Sequence, residues 1–410
     1  MNWFGLAELL ILGLLADGLL RRLGVPGLIG MLGVGLLLGQ SGLGLIDPRL
    51  LAFSGDLRQL ALVVILLRVG LGLNLKTLQQ VGRRVLLLAW IPAAVEGVTI
   101  SLVAQPLLGL SWLEAGLLGS VIAAVSPAVV VPLMLRLIAE RRGTEKAIPQ
   151  MVMAAASLDD IAVIVVNGVL LGLLAKQTTA LPLQLLRLPL GLGLGAAAGA
   201  ALGWLLIRWI ERFRPQANRQ VLLVLALSLL LLRLQSGINM LVPFTGLVAA
   251  IALGVVLLEL RPNLAAPIAG KLASIWVFAE LVLFTLVGAQ VDLGVAWRSG
   301  LAGLAVLVIG LVARCIGTLL CLQGSALSAG ERLFVTVASI PKATVQAAIG
   351  ALPLMAMRAA GLPTAPGEII LAVAVLSIVT TAPLGAWLSG LVADRVLRSE
   401  PAGSAEPIAR

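Results

Sequence analysis

Charge is scarce in this sequence: only 12% of its 410 residues are Asp, Glu, Lys or Arg, while 60% are hydrophobic. A soluble domain carries roughly a quarter charged residues, so this composition excludes an ordinary water-facing surface. Apolar runs near the ~20 residues needed to cross a bilayer recur along the whole length, and the class is a polytopic all-α membrane protein. Histidine and tyrosine are missing altogether. Any proton carried near neutral pH must therefore ride on a carboxylate or, second best, on a lysine. Cys315 and Cys321 are the two cysteines; on one predicted helix they stand about 9 Å apart along the axis, which excludes a disulfide between them. The first twenty residues have no basic region and no small-residue cleavage site, so they read as a retained helix and not a signal peptide.

A net charge of +10 would suggest a nucleic-acid partner in a soluble chain. Here the basic residues gather between apolar spans, the signature of membrane topology, and no nucleic acid is expected. Thirteen spans are predicted, near 3–20, 25–42, 57–74, 85–109, 112–137, 147–174, 184–208, 219–236, 241–259, 273–291, 300–323, 332–356 and 368–392. The connections on one side, with the C-terminus, hold 19 of the 29 Lys and Arg; the opposite set holds 7. That bias places the C-terminus in the cytoplasm and, with an odd span count, the N-terminus outside. The tail 394–410 is too short for a regulatory domain.

Two spans look broken. The fifth contains Ala124-Val125-Ser126-Pro127-Ala128-Val129-Val130-Val131-Pro132, and the twelfth contains Ser339-Ile340-Pro341-Lys342-Ala343-Thr344-Val345-Gln346. Pro127 and Pro341 each remove a backbone donor and crowd the preceding turn. They occupy matching places if spans 1–6 and 8–13 are two six-helix repeats of inverted topology around a linker. Paired, proline-interrupted helices in two halves point to a transport site at the midplane.

Six ionisable residues are expected to be buried by their position within spans: Arg68, Glu96, Asp159, Asp160, Arg314 and Lys342; Glu280, a possible seventh, is left out because a modest shift would place it near a boundary. Charge in hydrocarbon is costly and marks function by default. Glu96 and Arg314 lie mid-span in repeat-equivalent positions, and a pair between them is expected. Lys342 is expected to neutralise the ends of half-helices in the twelfth span, a titrating amine displaced when the metal ion binds being the alternative, and Arg68 to pair with carbonyls or an acid at a domain interface. Asp159 and Asp160, successive on one helix, point about 100° apart. Two such carboxylates repel, which favours a shared proton or a bound cation. With the Ser126 hydroxyl and freed carbonyls they are hard oxygen ligands, suited to an alkali ion and poorly suited to zinc or copper. The stripe Gly195, Gly199 and Gly203 reads as close packing within the chain rather than a dimer seam.

The motifs Leu67-Arg68-Val69-Gly70-Leu71-Gly72-Leu73, Val95-Glu96-Gly97, Ser126-Pro127, Ser157-Leu158-Asp159-Asp160-Ile161, Arg314 and Pro341-Lys342-Ala343-Thr344-Val345-Gln346 follow one another in order. In this the chain resembles the monovalent cation/proton antiporter superfamily, and within it the NHA-type sodium–proton exchanger branch. The resemblance implies a homodimer, with a scaffold domain near 1–74 and 184–291. It also implies a mobile core domain near 85–174 and 300–392 carrying two crossed, unwound helices. Asp160 would be the principal ion and proton ligand, with Asp159 in support, and no cofactor is implied. Relatives that carry a lysine at the Arg314 position pair it with the first aspartate; here Arg314 is available to Glu96 instead. An arginine cannot give up its proton in a protein, so it is no second proton carrier.

The expected function is exchange of Na⁺ or Li⁺ for H⁺ by alternating access, in a bacterial inner membrane. K⁺/H⁺ exchange on the same fold and Na⁺-coupled symport of an organic anion are the rivals. An aspartyl protease needs two carboxylates facing each other, which neighbours on one helix do not do. A channel needs a polar stripe that no span shows.

Overall fold

The computed structural model describes residues 3–23, 26–39, 41–46, 48–72, 83–174, 181–238 and 244–397. Among these every regular element is a helix: α1 (Trp3–Arg22), α2 (Gly27–Leu38), α3 (Pro48–Gly72), α4 (Arg83–Leu108), α5 (Trp112–Ile122), α6 (Pro127–Ala139), α7 (Ile148–Leu174) and α8 (Leu181–Phe213). There follow α9 (Ala217–Ile238), α10 (Gly246–Leu260), α11 (Pro262–Ala289), α12 (Leu293–Cys321), α13 (Ala329–Ala338), α14 (Thr344–Ile349), α15 (Leu352–Ala359) and α16 (Ala365–Val396). Taking α5 with α6, and α13 with α14 and α15, as single interrupted spans leaves thirteen among the described residues, the number that hydropathy predicts. The tail beyond residue 397 and the connection 73–82, with Lys76, lie outside the described residues.

Among the described residues, eight helical stretches are long and apolar enough to cross a membrane. Large apolar side chains such as Leu301 and Trp387 stand exposed on them, as lipid in place of water allows. Several helices outrun their apolar segments. Helix α11 begins at Pro262, eleven residues before the hydropathy boundary, because proline at the first helical position costs no hydrogen bond.

Two compact units divide the chain. The first comprises Met1–Lys76, Val165–Trp297 and Ala347–Ala372. Here the glycine stripe of α8 lies against α10: a Cβ on Gly199 would meet the Ala249 carbonyl oxygen at 2.0 Å. The stripe is packing within the chain, as its spacing suggested. The second unit comprises Thr77–Ile164, Arg298–Gln346 and Val373–Arg410. Residues 165–174 and 347–372, grouped with the core domain by the sequence, fall in the first unit.

Both interrupted spans start in the same way. Ser111 caps α5, accepting from the Glu114 amide while the Glu114 carboxylate accepts from the Ser111 amide. Ser328 and Glu331 make the same reciprocal pair at α13. Such a box satisfies two otherwise unpaired amides and fixes where a helix begins. It repeats at matching positions of the two halves, and each capped half-helix runs directly into a proline-marked break.

Candidate functional site: a charge network where two broken helices cross

The breaks, residues 123–126 and 339–343, meet. The Ser126 amide donates to the Pro341 carbonyl at 2.8 Å. The Ser126 hydroxyl stands 3.3 Å from that of Thr344 and accepts from the Thr344 amide at 3.4 Å. A break leaves helix-end carbonyls without partners. Gln346 answers this by donating its side-chain amide to the carbonyls of Val121, Ile122 and Ala124, at 3.2, 3.2 and 3.0 Å. At the start of α6, the Val125 amide donates to Asp159 Oδ2 at 3.0 Å. Beyond the other break, the Lys342 amide donates to the Thr381 hydroxyl at 2.9 Å.

Small residues bring α12 against α4. A Cβ on Gly310 would meet Ile100 at 2.7 Å, and one on Gly317 would meet Pro92 at 3.1 Å. Arg314 sits one turn from each of these glycines, and Glu96 one turn from both Pro92 and Ile100, so the same face carries the two charges into contact. Arg314 Nη1 donates to Glu96 Oε2 at 2.7 Å and also to the Ala123 carbonyl. Its Nη2 donates to Asp159 Oδ2 at 2.5 Å. Lys342 Nζ donates to the same Glu96 oxygen at 2.7 Å. All four charged side chains are at most 1% exposed. Charges so buried survive only when paired, and here two acids balance two bases.

The Glu96–Arg314 pair expected from the sequence is present, within a larger network. Three expectations need correction. Arg314 is not given to Glu96 in place of the first aspartate: it also binds Asp159 Oδ2, which the Val125 amide holds as well, while Asp159 Oδ1 has no hydrogen-bond partner among the described residues. The guanidinium fork reaches Glu96 and Asp159 together because its donors diverge. Lys342 does not neutralise a half-helix end; its long stem carries the ammonium to Glu96. Arg68 is not among the buried charges: in α3 it is exposed, its guanidinium 5.4 Å from the centre of the Trp276 ring; an acid of the expected kind, Glu280, also attracts it.

Asp160 differs from the rest. It is 1% exposed, and neither carboxylate oxygen has a hydrogen-bond partner among the described residues. Its neighbour Asp159 points instead into the network, as the angle between successive helical side chains requires.

Residues 8–393 match the family model described as sodium/hydrogen exchanger, transmembrane. The chain belongs to the sodium/hydrogen exchanger family. Sodium/hydrogen exchanger 9B2 of Homo sapiens is 34% identical over 351 residues, covering 84% of this chain and 65% of the human protein. Sodium/hydrogen exchanger 9B1 of Mus musculus is 29% identical over 349 residues, covering 84% of this chain and 61% of its own length. The match thus spans somewhat under two thirds of these relatives. In fold, the chain is similar to the sodium proton antiporter MjNhaP1 from Methanocaldococcus jannaschii at pH 8. The TM-score is 0.84 at 22% identity, over 96% of this chain and 99% of that one.

Gln346, Thr344 and Thr381 are contributors that a search for charge passes over. The first two lie within the Pro-Lys-Ala-Thr-Val-Gln motif; Thr381 carries no sequence signal beyond being a hydroxyl in an apolar helix.

Proposed function

We propose that this membrane protein exchanges Na⁺ or Li⁺ for H⁺, with both ions competing for Asp160. One observation carries the reading: Glu96, Asp159, Arg314 and Lys342 balance one another, while Asp160 is buried with both oxygens unpartnered. A lone buried carboxylate is relieved by a proton or by a monovalent cation. It can hold one or the other but not both, and that exclusion couples the two fluxes without a separate gate. The Ser126 hydroxyl and the carbonyls of the breaks are hard oxygens of the kind that suits an alkali ion. Asp159 holds the break in place through Arg314 and Val125 and supports the site indirectly. With Arg314 permanently charged and Lys342 held as an ammonium on Glu96, one proton exchanges for one cation, and the cycle moves no net charge.

The site lies wholly within the second unit, which suits a core domain that carries Asp160 alternately to either side of a dimeric scaffold. Support for that motion and for the dimer comes from the family resemblance.

The test uses proteoliposomes with an imposed pH gradient and an internal pH dye, challenged in turn with Na⁺, Li⁺, K⁺ and choline. Na⁺ and Li⁺ should collapse the gradient, equally with and without a voltage clamp, and Asp160→Asn should abolish the response. A response to K⁺ would move the assignment to potassium exchange. Silence with every cation, from protein shown to be folded, would reopen organic-anion symport. Exchange retained in Asp160→Asn would refute the role of that residue.

A further inference from the structure

A cavity of about 30 Å³ opens inside the second unit, on the Asp159–Arg314 ion pair. Its polar lining is Asp159, Arg314, Thr318 and Ser339; Leu88, Val152, Val335 and small alanines complete it. Such a volume has room for about two waters, each of which needs two to four polar partners. Those partners are present. Asp159 Oδ1 and Arg314 Nε are buried and lack hydrogen-bond partners. The Thr318 and Ser339 hydroxyls stand 3.3 Å apart. Each also donates to a carbonyl, of Arg314 at 2.9 Å and of Thr336 at 2.7 Å, which leaves their lone pairs as acceptors.

The unmet groups are thus one N–H donor and several oxygen acceptors. Water, which both donates and accepts, meets that set. An alkali ion would face the Arg314 guanidinium at close range, and an anion would face the Asp159 carboxylate, so charge complementarity argues against either. We infer that this cavity is a water-binding site that hydrates the ion pair from the side of Thr318 and Ser339. Thr318 lies at the last turn of α12, and Leu88, Val152 and Val335 each lie within about 10 Å along their own helices of the end where those helices begin. The ends meeting there carry Arg84, Lys146 and Arg332, on the side the basic-residue count assigns to the cytoplasm.

The waters act as a positioning element for exchange. The charged groups about Asp159 are Arg314 from α12, which is bonded to it, Glu96 from α4, joined to it through Arg314, Lys342 from the twelfth-span break, bonded to Glu96, and its own neighbour Asp160 on α7. All of these are fixed by the protein, so the cavity is where the pair gains mobile solvation. Stripping that solvation makes the charged pair costlier and displaces the pH at which the network works. This role rests on the exchange function proposed above; the existence of the water site does not.

Pulsed X-ray hydroxyl-radical labelling in ¹⁸O-water reads the site directly, because bound water generates the radical beside the side chains it touches. Leu88, Val152 and Val335 should label well above Leu117 and Leu118, which are fully buried away from the cavity. Filling it by Ala338→Val should suppress that labelling; Ala156→Val serves if the first variant does not fold. Labelling of the lining no greater than that of Leu117 and Leu118 in the unaltered protein would overturn the site. Thr318→Val keeps the shape and removes a hydroxyl, and should move the pH of half-maximal exchange by about half a unit. An unmoved pH profile beside normal labelling would leave the water but overturn its role.

Discussion

Replacing Glu96 by Gln keeps the shape of the network and removes one of its two acids. Glu96 Oε2 receives both Arg314 and Lys342 at 2.7 Å, and all three side chains are within 1% of complete burial. Truncating one partner of a buried ion pair costs about 3–5 kcal/mol, because the other charge is left uncompensated. Arg314 keeps Asp159, so the main loser is Lys342, which makes no other ion pair among the described residues. The lower part of the range, about 3–4 kcal/mol, is therefore expected. At about 2.1 cal/mol/K per residue, 410 residues give an unfolding entropy near ~0.9 kcal/mol/K. The melting temperature should then fall by about 3–5 °C if the chain unfolds as one body, and further if the second unit melts alone. Differential scanning fluorimetry in detergent would read it. The decisive comparison is the double variant Glu96→Gln/Lys342→Met, which restores the balance of charge. It should regain about 1–3 kcal/mol relative to the sum of the single losses. A Glu96→Gln protein as stable as the original, or a double variant no better than the sum, would refute the network as the origin of stability.

Asp160→Asn should cost no more than about 1–3 kcal/mol, since no hydrogen bond of Asp160 is lost and only the new amide is left unpaired; a larger drop would mean the carboxylate serves the fold. Gln346→Ala should cost about 1–3 kcal/mol by stripping the carbonyls of Val121, Ile122 and Ala124 of their shared donor, and chemical denaturation would show it. Burial pushes the Glu331 carboxyl up, but the hydrogen bond from Lys146 and the Ser328 amide outweigh it and hold the group below the usual carboxylate range. A lowered pKa in the fold contributes stability above the unfolded value and loses it as pH falls through the folded one. Glu331→Gln should accordingly flatten the acid side of the stability profile, and an unaltered acid limb would count against it. Gly199→Val should disrupt the α8–α10 contact, where even one methyl meets the Ala249 carbonyl, and normal expression and melting would contradict that packing.

The parts of the site legible in the sequence were those where polarity interrupts an apolar run. Asp159 and Asp160, Glu96, Arg314 and the prolines of the two breaks stand out because hydrocarbon tolerates such residues only for cause. Partner choice was less legible. The Arg314–Asp159 bond joins residues 155 apart, and Lys342–Glu96 joins residues 246 apart. Both depend on how the breaks cross, which no local pattern encodes. The reach of Lys342 to Glu96 follows from its four-carbon stem, which charge counting ignores. Arg68 was misplaced because position within an apolar span does not say which face a helix turns inward. The two capping boxes were readable, as Ser-x-x-Glu ahead of an apolar segment, and would have located both half-helices and strengthened the case for repeats.

Those boxes act as rulers. Helix α5 runs eleven residues from its cap to its break and α13 runs ten, lengths of about 17 and 15 Å. Each is about half the ~30 Å hydrocarbon thickness, and seven spans separate the two starts in the chain, so they are anchored at opposite faces. The depth of the crossing is thus measured from both surfaces by counted residues. Deleting a single residue between Ser111 and Ala123 would lift the break by about 1.5 Å and turn it by about 100°, carrying Ser126 away from Thr344. Length in this protein can vary freely at the connections, but between a cap and its break every residue is a unit of depth.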